Sequence, residues 1–327
     1  MTSPISWGII GCGNVTEVKS GPAFNLVEGS KLTAVMRRNA EKARDYAQRH
    51  NVPKWYGDAD QLLNDPDINA VYIATPPVFH KEFAIKALAK GLHVYVEKPV
   101  TLNAKEAEEI ANASKHSSAK IVVAHYRRRL PAFLFVKELL EKKAIGEVRL
   151  VQISMWQSMQ PDLVAKTEEN WRVNPKISGG GLFHDLSPHQ LDLMLYYFGG
   201  PVKCSGFSLN QSKQNIADDT VCGQMLFKNN ILFTGIWNFC AAEHVAKDEC
   251  IIIGSNGSIS FSFFGSGDVT VRGENGKEER HHFEHPRHIQ QPMIQSVVNY
   301  FKGSEENPCT IDEGISVMKM IDAFTMK

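Results

Sequence analysis

Apolar and polar positions alternate along this chain with two different rhythms, one before about residue 124 and one after it. In the first part, short apolar runs at 5–10, 32–36, 70–74, 93–96 and 121–124 are separated by amphipathic stretches with a helical repeat at 40–50, 80–90 and 103–115. Gly91 stops the second of these helices and Asn103 caps the third. Strands that alternate with helices predict βαβ units, because parallel neighbours need a crossover and the crossover helix covers the sheet. The expected fold of this part is α/β, a doubly wound parallel sheet.

After Tyr126 the texture changes. A helix over 131–143, with Phe133, Val136, Leu139 and Leu140 on one face, leads into β-like runs at 147–159, 202–209, 220–227, 231–239 and 249–254. Runs this closely spaced, two of them joined by the tight turn Asn229-Asn230, predict an α+β unit with a mostly antiparallel, open sheet. A chain of 327 residues is also long for one core, since cores stop growing at roughly 250–300 residues. The division falls near residue 125, into domains of 1–124 and 125–327, and the pattern leaves open which of them the last helix, 312–326, packs against.

Composition narrows the partners. Lysine plus arginine equals aspartate plus glutamate at 36 each, so no net field steers the protein to nucleic acid or an anionic membrane, and a small molecule fits better. Arg127-Arg128-Arg129 beside Tyr126 is the one basic cluster with an aromatic, and reads as solvated or as a domain junction. The six cysteines, at 12, 204, 222, 240, 250 and 309, show no CxxC, which fits free thiols in a reducing cytoplasm. The amino terminus lacks a basic leader and its apolar run is too short for a membrane span, so a cytoplasmic protein is expected. His281, Glu284 and His285 spell HxxEH, but Pro286 follows at once and the surroundings read as strand and loop, so no metal is expected there.

Three stretches carry chemistry. The first strand runs straight into Gly11-Cys12-Gly13-Asn14-Val15, with Thr16 in the third glycine slot of GxGxxG. Strand, glycine turn and following segment form a dinucleotide-binding opening, in which glycines let the backbone approach a pyrophosphate. In NAD proteins an acid about 20 residues further on accepts from the ribose 2′-hydroxyl. Here the second strand ends in Arg37-Arg38-Asn39, with Lys42 beyond, and guanidinium groups suit a 2′-phosphate. NADP(H) is therefore expected over NAD(H).

The second stretch is Glu97-Lys98-Pro99, directly after the apolar Val94-Tyr95-Val96. Charges at the end of a buried strand are either a solvated edge or part of a site. The third follows the glycine run 179–181, where Asp185, His189 and Asp192 lie on one helical face. Pro188 is tolerated near a helix start, so this triad is expected at an exposed helix entry facing a cleft. His189, with an ordinary pKa near 6.5, is the candidate general acid/base.

Taken in order, GIIGCGN, YIATPPVFH, VEKPV, NWRVNPKISGGG and HDLSPHQLDLM resemble the glucose-fructose oxidoreductase, inositol dehydrogenase and MocA family of nicotinamide-dependent dehydrogenases, over nearly the whole chain. The resemblance implies a Rossmann domain followed by a substrate and oligomerisation domain, with substrate held between them. It matches Lys98 to the lysine beside the nicotinamide and the reacting oxygen, with Glu97 contacting the cofactor or holding Lys98. Thr75, Pro76, Pro77 and His80 resemble the loop under the nicotinamide and its ribose. Asp185 and His189 match the family's D-x-x-x-H, Trp171 and Arg172 resemble residues that reach the cofactor and active site, and Tyr126 is a further substrate contact.

The function expected is hydride transfer between NADP(H) and a hydroxyl or carbonyl of a sugar-like small molecule, by a homo-oligomer, dimer or tetramer. A non-catalytic dinucleotide sensor of the same fold, and a glycosidase that uses nicotinamide transiently, are the alternatives the family offers.

Overall fold

The structure, a computed structural model, describes residues 3–164 and 170–326. The chain forms two compact units, one of Met1–Tyr126 with Pro286–Ile315, the other of Arg127–His285 with Ser316–Lys327. It thus returns to the first unit at Pro286, which a single division near residue 125 does not describe.

In the first unit, strands β1 (Ile5–Ile10), β2 (Ser30–Met36), β3 (Lys54–Tyr56), β4 (Ala70–Ile73), β5 (His93–Val96) and β6 (Ile121–Val123) pair in the order β3-β2-β1-β4-β5-β6. Every pair is parallel, the order of a dinucleotide-binding sheet whose topological switch lies between β1 and β4. The helices α1 (Asn14–Val18), α2 (Ala40–Arg49), α3 (Ala59–Leu63), α4 (His80–Ala89) and α5 (Ala104–Lys115) alternate with these strands. Strands covered on both faces lose the period-two pattern, which is why β1 and β4 are buried at every position. Capping follows the sequence: the Asn39 and Asn103 side chains accept from the N–H groups of Lys42 and Glu106, and Gly91 takes a left-handed φ of 74°.

The returning segment adds helix α9, Gln291–Phe301, with Met293, Ile294, Val297, Val298 and Phe301 buried. Phe301 lies 5.6 Å from the Trp7 ring and 4.7 Å from that of His93, and Lys120 Nζ donates to the Tyr300 carbonyl. The apolar face of this helix finds its complement on a sheet built some 200 residues earlier, and no local signal announces that.

The second unit opens with α6 (Pro131–Glu141) and β7 (Val148–Trp156), then α7 (Pro175–Ser178) and α8 (Leu182–Phe198). There follow β8 (Lys203–Leu209), β9 (Thr220–Leu226), β10 (Leu232–Asn238), β11 (Lys247–Gly254), β12 (Ser258–Phe261), β13 (Asp268–Arg272) and β14 (Glu278–His282). The eight strands pair in the order β14-β13-β12-β11-β7-β10-β9-β8, antiparallel except for β7 with β10. Asn229 and Asn230, at φ of 61° and 59°, make the tight turn before β10. The edge strand β14 reads EERHH, polar at every position, so its sequence carries no alternation that marks a strand.

One face of this sheet is covered by α8, through Phe183 against Trp237 at 5.1 Å and the Trp237 indole N–H on Gln190. The end of α10 (Ile311–Thr325) lies there too, where a Cβ at Gly223 would sit 2.4 Å from the Phe324 ring. The other face carries exposed Phe207, Leu209, Leu232, Ile236 and Ile253. The division between units falls within α10, after Ile315.

Candidate active site

In the first unit the candidate residues gather at the carboxyl ends of β1, β2, β4 and β5, where ligands of parallel sheets bind. Gly11 follows β1 at a φ of 95°, and a Cβ there would come within 2.9 Å of the Thr75 backbone nitrogen and Cγ2. Only glycine lets the turn after β1 and the loop after β4 approach so closely. A Cβ on Gly13 would meet nothing nearer than the Gly11 carbonyl at 3.9 Å, so the turn is open in front of Asn14 and Val15. The Gly11 and Cys12 N–H groups both donate to the Met36 carbonyl, which ties the turn to the end of β2. Cys12 is fully buried, and burial pushes its thiol up to about 12, so it is an inert packing group. Thr16, in the third slot, is also buried, with its hydroxyl on the Gly13 carbonyl and its own carbonyl on the Tyr46 phenol.

Beyond β2, Arg37 is half-buried and Arg38 exposed, and neither is paired with a carboxylate among the described residues. The Arg38 guanidinium instead lies 5.4 Å from the centre of the Phe79 ring. Lys42 is exposed on the first turn of α2. Two cations without carboxylate partners thus lie at the carboxyl end of β2, which the Met36 carbonyl ties to the glycine turn.

Pro76 and Pro77 lead into α4. His80 is fully buried, with Nδ1 3.0 Å from the Pro99 carbonyl and Nε2 2.7 Å from the Thr75 carbonyl. Burial lowers its pKa, and the hydrogen bonds to the two carbonyls oppose that shift in part. Its side chain joins the loop after β4 to the turn after β5, and Thr75, Pro76 and Pro77 are the residues that line that loop.

The charges after β5 have a different setting from the strand before them. Glu97 is 7% exposed. Its Oε1 accepts from the Tyr72 hydroxyl and from Gln290 Nε2 at 2.7 Å, and its Oε2 accepts from the Lys98 N–H at 3.1 Å. Tyr95 in turn donates to Gln290 Oε1 at 3.2 Å. Burial raises both phenols well above their ordinary value, with Glu97 adding to it, so they remain donors. The Lys98-Pro99 bond is cis, and the Lys98 side chain is half-buried. Motif reading singles out neither Gln290 nor Tyr72: one is a lone polar residue ahead of α9, the other opens the stretch YIATPPVFH inside a buried strand.

In the second unit α8 carries the other candidates. Gly179 and Gly181 have left-handed φ values of 95° and 83°, and a Cβ on Gly180 would lie 2.2 Å from the His184 ring, which accounts for the glycine run. The helix is not an exposed entry: from Leu182 to Leu195 every residue but Asp185 is buried, and Pro188 lies well inside it. His189 is 5% exposed and meets the Phe264 ring edge to face at 5.8 Å. Arg127 donates to the Phe263 carbonyl and stacks over Phe264 at 4.4 Å.

Asp185 accepts from Arg172 Nε at 3.0 Å, and the Arg172 guanidinium lies 4.4 Å from the Trp171 ring centre, so these three form one cluster. Asp192 is separate from it. Its carboxylate takes Arg128 through Nε at 3.1 and 3.0 Å and Nη2 at 2.8 Å, with both side chains fully buried. Arg127 and Arg128 are therefore buried rather than solvated. Tyr126, 5% exposed, closes the first unit's initial segment.

The HxxEH residues fall on β14 and the loop after it. The His281 ring lies 4.7 Å from that of Phe135, tilted by 50°, and His285 Nε2 lies 2.9 Å from the Gly265 carbonyl. Among the described residues no group of three or more His, Cys, Asp or Glu is placed to hold a metal ion. No helix of them is long and apolar enough to cross a membrane. All six cysteines are free thiols.

Fold and site together define a two-unit oxidoreductase with a nicotinamide-dinucleotide domain. The family model described as "Oxidoreductase family, NAD-binding Rossmann fold" matches residues 5–125, and that of the GFO/IDH/MocA C-terminal domain matches 133–260. The chain belongs to the GFO/IDH/MocA family of NAD(P)-binding oxidoreductases. It is 50% identical to "Oxidoreductase P35" of Formosa agariphila over 325 residues, 99% of each chain. It is 33% identical to a scyllo-inositol 2-dehydrogenase (NADP(+)) of Bacillus subtilis over 209 residues, 63% of this chain and 62% of that one. Among solved structures, a levoglucosan dehydrogenase complexed with NADH and L-sorbose has the same fold, with a TM-score of 0.86 at 21% identity over 99% of this chain and 96% of that one.

Proposed function

We propose that this protein is an NADP(H)-dependent dehydrogenase or reductase that interconverts a CH–OH group and a carbonyl on a sugar-like, polyhydroxylated small molecule. The observation that carries the reading is the turn after β5, where a buried carboxylate holds the Lys98 N–H at the ligand-binding end of a parallel sheet. The names of the inositol and levoglucosan dehydrogenases support a polyol substrate.

The bound nicotinamide supplies the hydride acceptor or donor. Gly11, Cys12, Gly13, Asn14 and Val15 present the backbone to its pyrophosphate, and Arg37, Arg38 and Lys42 to a 2′-phosphate. Thr75, Pro76, Pro77 and Glu97 shape the floor on which the ring rests. The Lys98 ammonium stabilises the negative charge that develops on the substrate oxygen as its proton leaves. His189 takes or returns that proton, held by its contact with Phe264. Asp185, fixed by Arg172 above Trp171, orients the substrate hydroxyls, with Tyr126 as a further contact.

The working form is a homo-oligomer in the cytoplasm, built on the exposed apolar face of the eight-stranded sheet. Fluorescence titration with NADPH and NADH, followed by a screen of polyols and ketoses, tests the proposal. Turnover with a member of the screen is expected. Lys98→Met should lower it by about 10²-fold or more with NADPH affinity largely kept, because electrostatic and proton-transfer contributions are of that size. Near-normal turnover in that variant would refute the role given to Lys98.

A further inference from the structure

A buried carboxylate normally sits beside a cation, because taking an unpaired charge out of water costs several kcal/mol. Glu97 is buried yet forms no ion pair with a lysine or arginine among the described residues. Its charge is held by neutral donors alone: the Tyr72 hydroxyl, the Gln290 amide and the Lys98 N–H. The hydrogen bonds run in one consistent direction. Tyr95 donates to Gln290 Oε1, Gln290 Nε2 donates to Glu97 and, at 3.4 Å, to the Tyr72 oxygen, and Tyr72 donates to Glu97. Only a primary amide offers both an acceptor for Tyr95 and two donors for the other partners. Gln290 is itself anchored, its own N–H donating to the Lys19 carbonyl at 3.1 Å.

We infer that Gln290 is the positioning residue of Lys98. It holds Glu97 in place, Glu97 grips the Lys98 N–H, and the segment by which the chain returns to its first unit thereby sets where the lysine side chain starts. The inference rests on the proposed role of Lys98 for its consequence in turnover, but not for its structural content. Glu97 is not asked to exchange a proton. Its second oxygen fixes the main chain on which the ammonium is carried, and a shift of about 1 Å in a reacting group can cost on the order of 10²-fold in rate.

The experiment uses the full chain with its lysines reductively methylated with ¹³C, the Lys98 resonance being assigned by its loss in Lys98→Arg. In the unsubstituted protein the Lys98 signal should stand apart from the envelope of exposed lysines. Gln290→Met keeps the side chain's bulk but removes its donors and acceptor, and should move that signal into the envelope. The exchange Glu97→Gln with Gln290→Glu rebuilds the network with the charge on the other partner, and should return the signal toward its original position.

Turnover of Gln290→Met should fall about tenfold or more, with the dissociation constant for NADPH within about threefold of the original. In a Lys98→Met background the same substitution should cost no further turnover, since the group it positions is gone. Tyr95→Phe, which removes one donor to Gln290, is the milder variant should Gln290→Met fold poorly, and a smaller displacement is expected. A Lys98 signal inside the envelope from the start, or one that ignores both variants, overturns the inference. An equal loss of turnover with and without Lys98 overturns it too. Absence of dehydrogenase turnover altogether would refute the proposed function, while the resonance would still decide what Gln290 does.

Discussion

At the scale of single residues, pairing separates the groups that serve the fold from those left available to a ligand. Asp192 shares a helical face with Asp185 and His189, yet its carboxylate is consumed by Arg128 in a buried, two-toothed ion pair. Breaking such a pair from one side strands a charge, so this aspartate belongs to the framework. Arg37 and Arg38 are the opposite case, two cations without a carboxylate beside the glycine turn. Replacing both by alanine should weaken NADPH binding by about tenfold to 100-fold, the worth of one or two charge-assisted hydrogen bonds, with little effect on NADH. Equal losses for the two cofactors in a fluorescence titration would show that the arginines do not read a 2′-phosphate.

At the scale of elements, helices α1 and α2 are clamped to each other by a charge cluster. Glu17 on α1 accepts from Arg49 Nη1 at 2.8 Å and Nη2 at 2.9 Å, and lies 2.8 Å from His50 Nε2. Its pKa falls to about 2, through the Arg49 hydrogen bonds first, against an ordinary value near 4.5. A depressed carboxyl stabilises the fold above its unfolded pKa and ceases to do so as pH falls through the folded one. The contribution is therefore complete above about pH 4.5 and lost toward pH 2. Glu17→Gln should lower the urea midpoint at pH 7 by a modest amount, because the pair is partly exposed and screened. The gap between the two proteins should close as pH is lowered from 5 toward 2; a gap that persists there would assign it to packing.

At the scale of the whole molecule, the open face of the second sheet is the feature that asks for a partner. Phe207, Leu209 and Ile236 on β8 and β10 are 65%, 54% and 47% exposed, and strand alternation places them together on the face opposite α8. Contiguous apolar surface of this kind marks an association face. Sedimentation should find a dimer or tetramer, and Phe207→Glu with Ile236→Glu should shift it to monomer while leaving the parallel sheet of the first unit intact. A monomer before substitution would remove the oligomer from the proposal.

The sequence by itself determined the two sheet types, the glycine turn, the paired charges after β5 and the histidine on α8, because each is a matter of local period or of chemistry at short spacing. The edge strand β14 shows where periodicity ends as a guide, since a strand with no buried face has no alternation to read. Partnership was decided only in three dimensions. Nothing in the segment around Gln290 announces that it meets Glu97, and nothing around Arg128 announces Asp192, for these partners lie 193 and 64 residues apart. Burial turns such distant meetings into requirements, because a polar group removed from water must find its hydrogen bonds wherever the fold supplies them.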